Sequence, residues 1–437
     1  MQWLQNYKKK LTTAEQALQV IKSGDNVYIH PGCAVPEILV DAMAARAEDL
    51  TDVKVHHILT VGESSYVRPG MEKHFRHNAL FIGANARKVV NEGLADFTPV
   101  YLHEIASLFY QKIIPIDVAL IHLSPPDEHG FCSFGVGIEI TKPATEVAKV
   151  IVAQINPKMP RALGDSFIHL NKLDYIVEVD TPLKELPQVG EIKNEEEYEV
   201  YQKIGQYIAD LIEDESTMQM GIGSIPDATL RFLDGKRDLG IHTEMFSDGV
   251  IRLFEKGVIN NEKKTLHPGK MVVSFILGER PIFDFIDNNP VVEFHPSHYV
   301  NDPFIIAQNR KMVAINSALQ VDITGQVCAD SIGPKFFSGF GGQVDFIRGA
   351  ARSEGGKPII ALPSTAKDGQ ISRITSLLTP GAGVTTNRAD VHYVVTEYGV
   401  ASLHGKAVRQ RALELIHIAH PKFRDELRSY AKKQNYI

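Results

Sequence analysis

The sequence predicts an α/β fold built from two similar open α/β domains, each with a parallel or mixed sheet. Short β-branched apolar runs alternate with helical patterns along the whole chain. Several of the apolar runs contain hardly any polar residue, which is typical of strands buried on both faces of a sheet. The length of 437 residues allows two or three domains, each able to bury a full core.

The elements follow from these patterns in chain order. The strand candidates are Asn26–Ile29, Val53–Leu59, Ala79–Ile82, Asp117–His122, Lys149–Ile155, Tyr175–Val179, Lys270–Phe275, Met312–Asn316, Pro358–Leu362 and Val391–Thr396. The helix candidates are Ala14–Ile21, Pro36–Ala45, Glu195–Glu213, Pro226–Leu233 and Arg409–Ile418. Their alternation indicates an α/β chain and excludes an all-α or all-β one.

The predicted domain boundary is the segment Asp180–Glu197, where prolines, a glycine and a cluster of glutamates interrupt the alternation. It divides the chain into residues 1–188 and 189–437. In each half a strand leads into a short loop and then a helix that carries a proline and an acid near its start, Pro36-Glu37 and Pro226-Asp227. The halves therefore favour duplication of one α/β unit, with chance similarity of two strand–turn–helix units as the alternative.

Charge and cysteine content exclude several classes of protein. The chain has 46 Lys and Arg against 53 Asp and Glu, a net charge of −7, and its pI of about 6.2 argues against a nucleic-acid partner. Its three cysteines lie far apart and form no CxxC pair, so neither a disulfide framework nor a cysteine-rich zinc site is expected. No apolar stretch approaches the roughly 20 residues that cross a bilayer, and the N-terminus has no signal-peptide pattern. These features predict a soluble protein of a reducing compartment.

Two glycine-rich segments and one acidic segment are candidates for a site. A glycine loop that follows a strand and opens a helix offers free N–H groups to a phosphate or an oxyanion, although such loops are also plain connections. Its members are Gly221, Ile222, Gly223, Ser224 and Ile225. Glu244 follows the next strand, on the same sheet edge if the two strands are parallel neighbours, where ligands bind in open α/β sheets. Without further evidence, a surface glutamate at a strand end is the more frequent reading.

A further segment, Ser338–Phe346, holds Gly339, Gly341 and Gly342, which suggests backbone pressed against a ligand or another strand. Competing chemistries have little support, since no Walker loop, HExxH motif or Gly-x-Ser-x-Gly elbow occurs. Cys132 and Cys328 are better interpreted as small buried residues than as nucleophiles.

Taken together, these segments resemble the acetyl-CoA hydrolase/transferase family, and within it the 4-hydroxybutyrate and butyryl-CoA:acetate CoA-transferases. The resemblance spans nearly the whole chain. It rests on Ser124-Pro125-Pro126-Asp127-x-His129-Gly130, Asn156-Pro157-x-Met159-Pro160-Arg161, Gln219-x-Gly221-Ile222-Gly223, His242-Thr243-Glu244-Met245, Asn289-Pro290, Tyr299-Val300-Asn301-Asp302-Pro303, Gly341-Gly342-Gln343-x-Asp345-Phe346, Ser372-Arg373-Ile374 and Thr396-Glu397-Tyr398-Gly399-Val400-Ala401.

The resemblance implies a role for each of these site residues. Glu244 would be the catalytic nucleophile, Gln219 and Gly221 would stabilise the oxyanion, and CoA would bind to Gly221–Ile225, Gly341, Gly342 and Lys367. It also implies an active site at the interface of the two domains, a homodimer and a cytoplasmic location. No metal and no separate cofactor are expected, because coenzyme A, as acyl-CoA, is itself a substrate.

The implied chemistry is ping-pong CoA transfer from a short-chain acyl-CoA to a carboxylic acid, through a glutamyl-CoA thioester on Glu244. The expected acids are 4-hydroxybutyrate or butyrate, with acetate. Two alternatives stay open: an acyl-CoA hydrolase on the same scaffold, in which water resolves the intermediate, and a CoA-binding protein without catalysis.

Overall fold

A computed structural model describes residues 2–186 and 194–437. The centre of the predicted break, residues 187–193, and with it the predicted boundary after residue 188, lie outside the described residues. Within the described part of the chain no helix is both long and apolar enough to cross a membrane.

The first part of the chain contains one seven-stranded parallel sheet and the helices that cover it. Its strands are β1 (Asn26–Ile29), β2 (Val53–His57), β3 (Phe75–Ala79), β4 (Asp96–Phe97), β5 (Val118–Leu123), β6 (Phe131–Ser133), β7 (Val150–Ile155), β8 (Leu163–Gly164), β9 (Phe167–His169) and β10 (Tyr175–Glu178). Its helices are α1 (Gln2–Lys10), α2 (Ala14–Ala17), α3 (Glu37–Ala44), α4 (Arg87–Asn91), α5 (Ile105–Tyr110) and α6 (Thr141–Val147).

The second part begins with a long helix and contains a second sheet. Its helices are α7 (Glu195–Leu211), α8 (Ser224–Arg231), α9 (Asp248–Glu255), α10 (Arg280–Ile286), α11 (Ser297–Val300), α12 (Pro303–Ile306), α13 (Gln343–Arg352), α14 (Val408–Ile418) and α15 (Arg424–Lys433). Its strands are β11 (Thr217–Met220), β12 (Gly240–Ile241), β13 (Met271–Val273), β14 (Val292–Phe294), β15 (Met312–Ser317), β16 (Gln320–Asp322), β17 (Val327–Cys328), β18 (Ser331–Ile332), β19 (Lys335–Phe336), β20 (Lys357–Ala361), β21 (Thr365–Ala366), β22 (Ile371–Ser372), β23 (Ile374–Thr375), β24 (Tyr393–Thr396) and β25 (Gly399–Ser402).

The α/β fold class is confirmed, with parallel pairing dominant in both large sheets. The first sheet has the strand order β10-β7-β5-β1-β2-β3-β4, and all its pairs are parallel. The second has the order β12-β11-β15-β20-β24-β25, and only its last pair, β24 with β25, is antiparallel. Strands such as β5, buried at every position, match the expectation that apolar runs form two-sided buried strands.

The two sheets share one strand order. The run β2-β1-β5-β7-β10 of the first corresponds to β12-β11-β15-β20-β24 of the second, because in both the earliest strand lies between the second and the third. The strand order therefore reverses beside that earliest strand, and open α/β sheets bind ligands at the carboxyl ends of the strands at such a point. The similarity expected from the strand–loop–helix motifs therefore extends to the topology of the sheets.

The chain contacts divide it into two compact units, and each has its own apolar core. The first unit is Met1–Pro187 with Val272–Val300, and the second is Gln188–Met271 with Asn301–Ile437. The prediction of two uninterrupted halves placed residues 272–300 in the second. They group with the first because β14 pairs with β8, and because the backbone N–H of Ile276 donates to the carbonyl of Val136 at 2.7 Å.

One predicted strand, Ala79–Ile82, is wrong in position. The observed strand β3 is Phe75–Ala79, so the apolar residues of the prediction mostly follow the strand instead of forming it. The strand contains His77 and Asn78, and with these polar residues it does not read as an apolar run. It forms because Phe75, His77 and Ala79 alternate toward the interior.

Candidate active site

The predicted glycine loop and the predicted carboxylate meet at the carboxyl edge of the second sheet. Strand β12 continues the pairing with β11, and the backbone N–H of His242 donates to the carbonyl of Met218 at 3.0 Å. The Thr243 hydroxyl then donates to the carbonyls of Met220 at 3.2 Å and Met245 at 2.7 Å. These bonds hold the residues on both sides of Glu244 against the end of β11.

Strand β12 has only two residues and is held from its outer side by polar groups. The buried Lys264 ammonium donates to the carbonyl of Ile241 at 2.7 Å, and the Asn261 side chain accepts from the Ile241 N–H at 2.9 Å. A strand this short forms few backbone hydrogen bonds with its neighbour and is only weakly stabilised by them. The side-chain hydrogen bonds from Lys264 and Asn261 therefore help to position the turn that carries Glu244.

The Glu244 carboxyl is buried, with 9% of the residue exposed. The side-chain amide of Asn301 donates to its Oε2 at 2.7 Å, whereas Oε1 forms no hydrogen bond with the described residues. Burial raises the pKa of Glu244 to about 7; the Asn301 bond opposes that shift and the negative charge of Asp345 adds to it. A carboxyl whose ionisation is this close to neutrality is a candidate catalytic group.

Gly342 lies directly against this carboxyl. A Cβ atom on Gly342 would overlap Oε2 of Glu244 and the amide of Asn301. Glycine is required here by space and not by the backbone, since φ of Gly342 is −93°. The neighbouring Gly341 has φ of 53°, in the left-handed region that favours glycine. Glu244, Asn301 and Gly342, from three separate segments of the second unit, thus form one cluster.

The loop Gly221–Ile225 joins β11 to α8. Gly223 caps the helix with φ of 118° and ψ of −179°, a conformation open to glycine. Gly221 has open space where a Cβ would lie, so a ligand can approach its backbone closely. Ser224 begins α8, whereas the side chain of Ile225 is buried in the protein. Of the loop residues, Ile225 could therefore contact a ligand through its backbone only.

Gln219 is buried near the end of β11. Its Oε1 accepts from the backbone N–H of Ile315 and from the side-chain amide of Asn316, each at 3.1 Å. The oxygen is thereby fixed on β15, the parallel neighbour of β11, and the amide NH₂ is the group that remains for a ligand.

Lys367 lies at the exposed tip of the hairpin that joins β21 and β22, with φ of 50°. Its contact with CoA stays a prediction. The sequence reasoning assigned no role to Asn301, although the Tyr299–Pro303 segment formed part of the resemblance. Nothing in that segment by itself indicates that its asparagine reaches the carboxyl of Glu244.

Comparison with known proteins agrees with the resemblance. The model of the acetyl-CoA hydrolase/transferase N-terminal domain matches residues 1–184, and that of the C-terminal domain matches residues 278–431. The 4-hydroxybutyrate coenzyme A transferase of Clostridium kluyveri is 52% identical, over 99% of this chain and 100% of that protein. The succinyl-CoA:acetate/propanoyl-CoA:succinate CoA transferase of Fasciola hepatica is 48% identical, over 97% of this chain and 88% of that protein.

A solved structure is similar over the same length. The crystal structure of 4-hydroxybutyrate CoA-transferase from Porphyromonas gingivalis has 42% sequence identity and a TM-score of 0.85. The match covers 99% of this chain and 100% of that one. Identity at this level over 99% of this chain indicates both the same fold and the same family.

Proposed function

Given that this chain belongs to the acetyl-CoA hydrolase/transferase family and is a CoA-transferase, we propose that it transfers CoA from a short-chain acyl-CoA to a carboxylic acid through Glu244. The observation that carries the proposal is the buried Glu244 carboxyl, whose one oxygen is held by Asn301 while the other is free of hydrogen bonds with the described residues. The proposed acids are 4-hydroxybutyrate or butyrate, with acetate as the partner acid.

In the proposed first half-reaction, Oε1 of ionised Glu244 attacks the thioester carbonyl carbon. The C–S bond breaks, CoA leaves as the thiolate, and an acyl-glutamyl anhydride remains. The thiolate then attacks the glutamyl carbonyl carbon, which releases the first acid as a carboxylate and leaves a glutamyl-CoA thioester. A second carboxylate takes the CoA by the reverse sequence and restores the Glu244 carboxylate.

Each addition creates an oxyanion that needs hydrogen-bond donors. The NH₂ of Gln219 and the backbone N–H groups of the Gly221–Gly223 loop are the proposed donors, because they lie at the sheet edge that Glu244 also occupies. Losing one such donor typically costs about 2.7–4 kcal/mol of barrier. This scheme uses CoA as a substrate and needs neither a metal nor another cofactor.

The raised pKa of Glu244 suits this role. A carboxylate that is a stronger base than usual is also a stronger nucleophile, and a pKa of about 7 leaves it largely ionised just above neutral pH. The burial that raises the pKa also limits access of water, which would otherwise hydrolyse the anhydride.

The test is reduction of the intermediate by borohydride. Acyl-CoA without an acceptor acid should make the enzyme sensitive to borohydride, with the modification mapping to Glu244, and addition of an acceptor acid should protect it. Absence of a trapped, acyl-CoA-dependent product on Glu244 would contradict the proposal.

The hydrolase is the second candidate, since the family includes such enzymes. It predicts consumption of acyl-CoA at full rate without any added acid, whereas a transferase requires an acceptor. A panel of acyl-CoA donors and acids would decide between them and identify the preferred acyl group. A homodimer and a cytoplasmic location complete the proposal, and the dimer can be checked by analytical ultracentrifugation.

A further inference from the structure

Arg373 directly follows the β21–β22 hairpin that carries Lys367, on a backbone that is held from two sides. It connects β22 to β23, and its N–H donates to the carbonyl of Ser364 at 2.8 Å. Its own carbonyl accepts from the N–H of Val321, also at 2.8 Å. Two bonds of this kind fix the direction in which the side chain leaves the backbone.

The guanidinium of Arg373 has neither a hydrogen bond nor an ion pair with any residue in the described ranges. It is nevertheless partly buried, and burial lowers its pKa while the nearby Tyr201 and Glu397 raise it. The carboxylate of Glu397 does not bond to it; its two oxygens accept from the N–H and the hydroxyl of Ser364. By contrast Arg348, partly exposed in the same unit, donates to Asp390 at 3.1 Å.

A partly buried cation without a bonded counter-ion is costly unless a ligand supplies the anion. The surroundings of Arg373 indicate which anion. Its charge reaches Tyr201 on α7, the helix that packs against α8, and α8 begins at Ser224 of the proposed CoA loop. The hairpin whose second strand ends one residue before Arg373 carries Lys367 at its tip.

We infer that Arg373 binds a phosphate group of CoA. The inference rests on the proposed function and adds a residue for which the resemblance implied no role. A guanidinium presents two parallel N–H groups to phosphate oxygens and keeps its charge at every working pH, which suits it to this ligand. It would also supply, locally, the positive charge that a chain of net charge −7 needs to hold a polyanion.

The test compares substrates with and without phosphates. Arg373→Gln should raise KM for acyl-CoA by about tenfold or more, the usual effect of losing a charged hydrogen bond, with kcat nearly unchanged. KM for the acyl-pantetheine thioester, which has no phosphate, should not change. Arg373→Lys should recover part of the affinity, since it restores the charge but not the paired donors.

The matched control is Arg237→Gln. Arg237 bonds to Asp214 beside the amino end of β11, at the opposite edge of the sheet, so its loss should leave both KM values unchanged. Acyl-dephospho-CoA and acyl-phosphopantetheine then locate the contact. If Arg373→Gln no longer raises KM for acyl-dephospho-CoA, which lacks the 3′-phosphate, Arg373 binds that phosphate. If Arg373→Gln still raises KM for acyl-phosphopantetheine, Arg373 binds the phosphate next to pantetheine.

The inference is overturned if Arg373→Gln leaves KM for acyl-CoA unchanged, raises it equally for acyl-pantetheine, or raises only KM of the acceptor acid. Calorimetric titration with CoA and with pantetheine gives the same comparison without turnover. Binding of CoA that weakens in Arg373→Gln would support the inference even if Glu244 proved not to be the nucleophile.

Discussion

The side-chain amide of Asn301 donates a 2.7 Å hydrogen bond to Oε2 of Glu244, across 57 residues of sequence. Asn301 is fully buried, and its Oδ1 has no hydrogen-bond partner among the described residues. A buried amide with one unused group is costly, so its retention beside the carboxyl points to a role at the site. That role would be to hold one oxygen of Glu244 and to favour its ionised form.

Glu244→Gln is expected to abolish CoA transfer, with kcat lower by roughly 10⁴-fold or more, as is typical when a covalent nucleophile is removed. Glutamine has nearly the same shape and can still accept from Asn301, so the fold should persist. Steady-state turnover and borohydride trapping are the measurements. A variant with near-normal kcat would contradict the assignment of Glu244 as nucleophile.

The rate of the first half-reaction should rise with pH, with a midpoint near 7. In the proposed mechanism only ionised Glu244 attacks the thioester, and burial raises the pKa of that carboxyl to about 7. The pH profile of kcat/KM for acyl-CoA reports the pKa in the free enzyme. A profile that stays flat from pH 5.5 to 8.5 would show that ionisation of Glu244 does not limit the reaction.

Asn301→Asp should move this profile to higher pH and lower the maximal rate. The amide now lowers the pKa of Glu244 through its hydrogen bond, whereas a carboxylate at the same place raises it by charge repulsion. The size and shape of residue 301 are preserved, but a second buried carboxyl should also lower the stability at alkaline pH, so thermal unfolding is measured at each pH to confirm that the variant stays folded. An unshifted profile would mean that Asn301 does not act on the ionisation of Glu244.

Gly342→Ala should inactivate the enzyme by displacing Glu244. The added Cβ overlaps both the carboxyl and the Asn301 amide, and overpacking of this kind costs roughly 1–3 kcal/mol of stability. Gly235→Ala is the matched control, because a Cβ there meets nothing within 4 Å. Equal activity of the two variants would show that the structure around residue 342 can accommodate a Cβ atom without displacing Glu244.

Glu244→Gln should also be more stable than the wild type at alkaline pH. The folded pKa of about 7 lies above the ordinary value of 4.5, so the folded state binds more protons and loses stability as pH rises between those values. The difference approaches roughly 3 kcal/mol above pH 8 and vanishes near pH 4. Denaturant unfolding of both proteins at pH 5 and pH 8.5 measures it; a gap independent of pH would contradict the raised pKa.

The glycine loop and the carboxyl of the candidate site could be located from the local sequence pattern, whereas their partners could not. The loop Gly221–Ile225 and the position of Glu244 were recognisable because each follows a strand, and parallel neighbouring strands end at the same edge. The sequence did not indicate that Asn301 is a partner of Glu244. Nor did it indicate that the guanidinium of Arg373 has no bonded counter-ion among the described residues. Both properties depend on which distant segments pack together, and residue periodicity carries no information about that.

The sequence by itself determined the α/β class, most of the strands of the two large sheets and the repeated strand–loop–helix motif. These depend on local hydrophobic periodicity and on glycine and proline chemistry, whereas Glu244 was singled out as the proposed nucleophile by the family resemblance. Only the tertiary structure decided that β3 is Phe75–Ala79, that residues 272–300 join the first unit, and that Gly342 and Asn301 surround Glu244. It also decided the pKa of that carboxyl, because desolvation arises only once distant segments have excluded water from it.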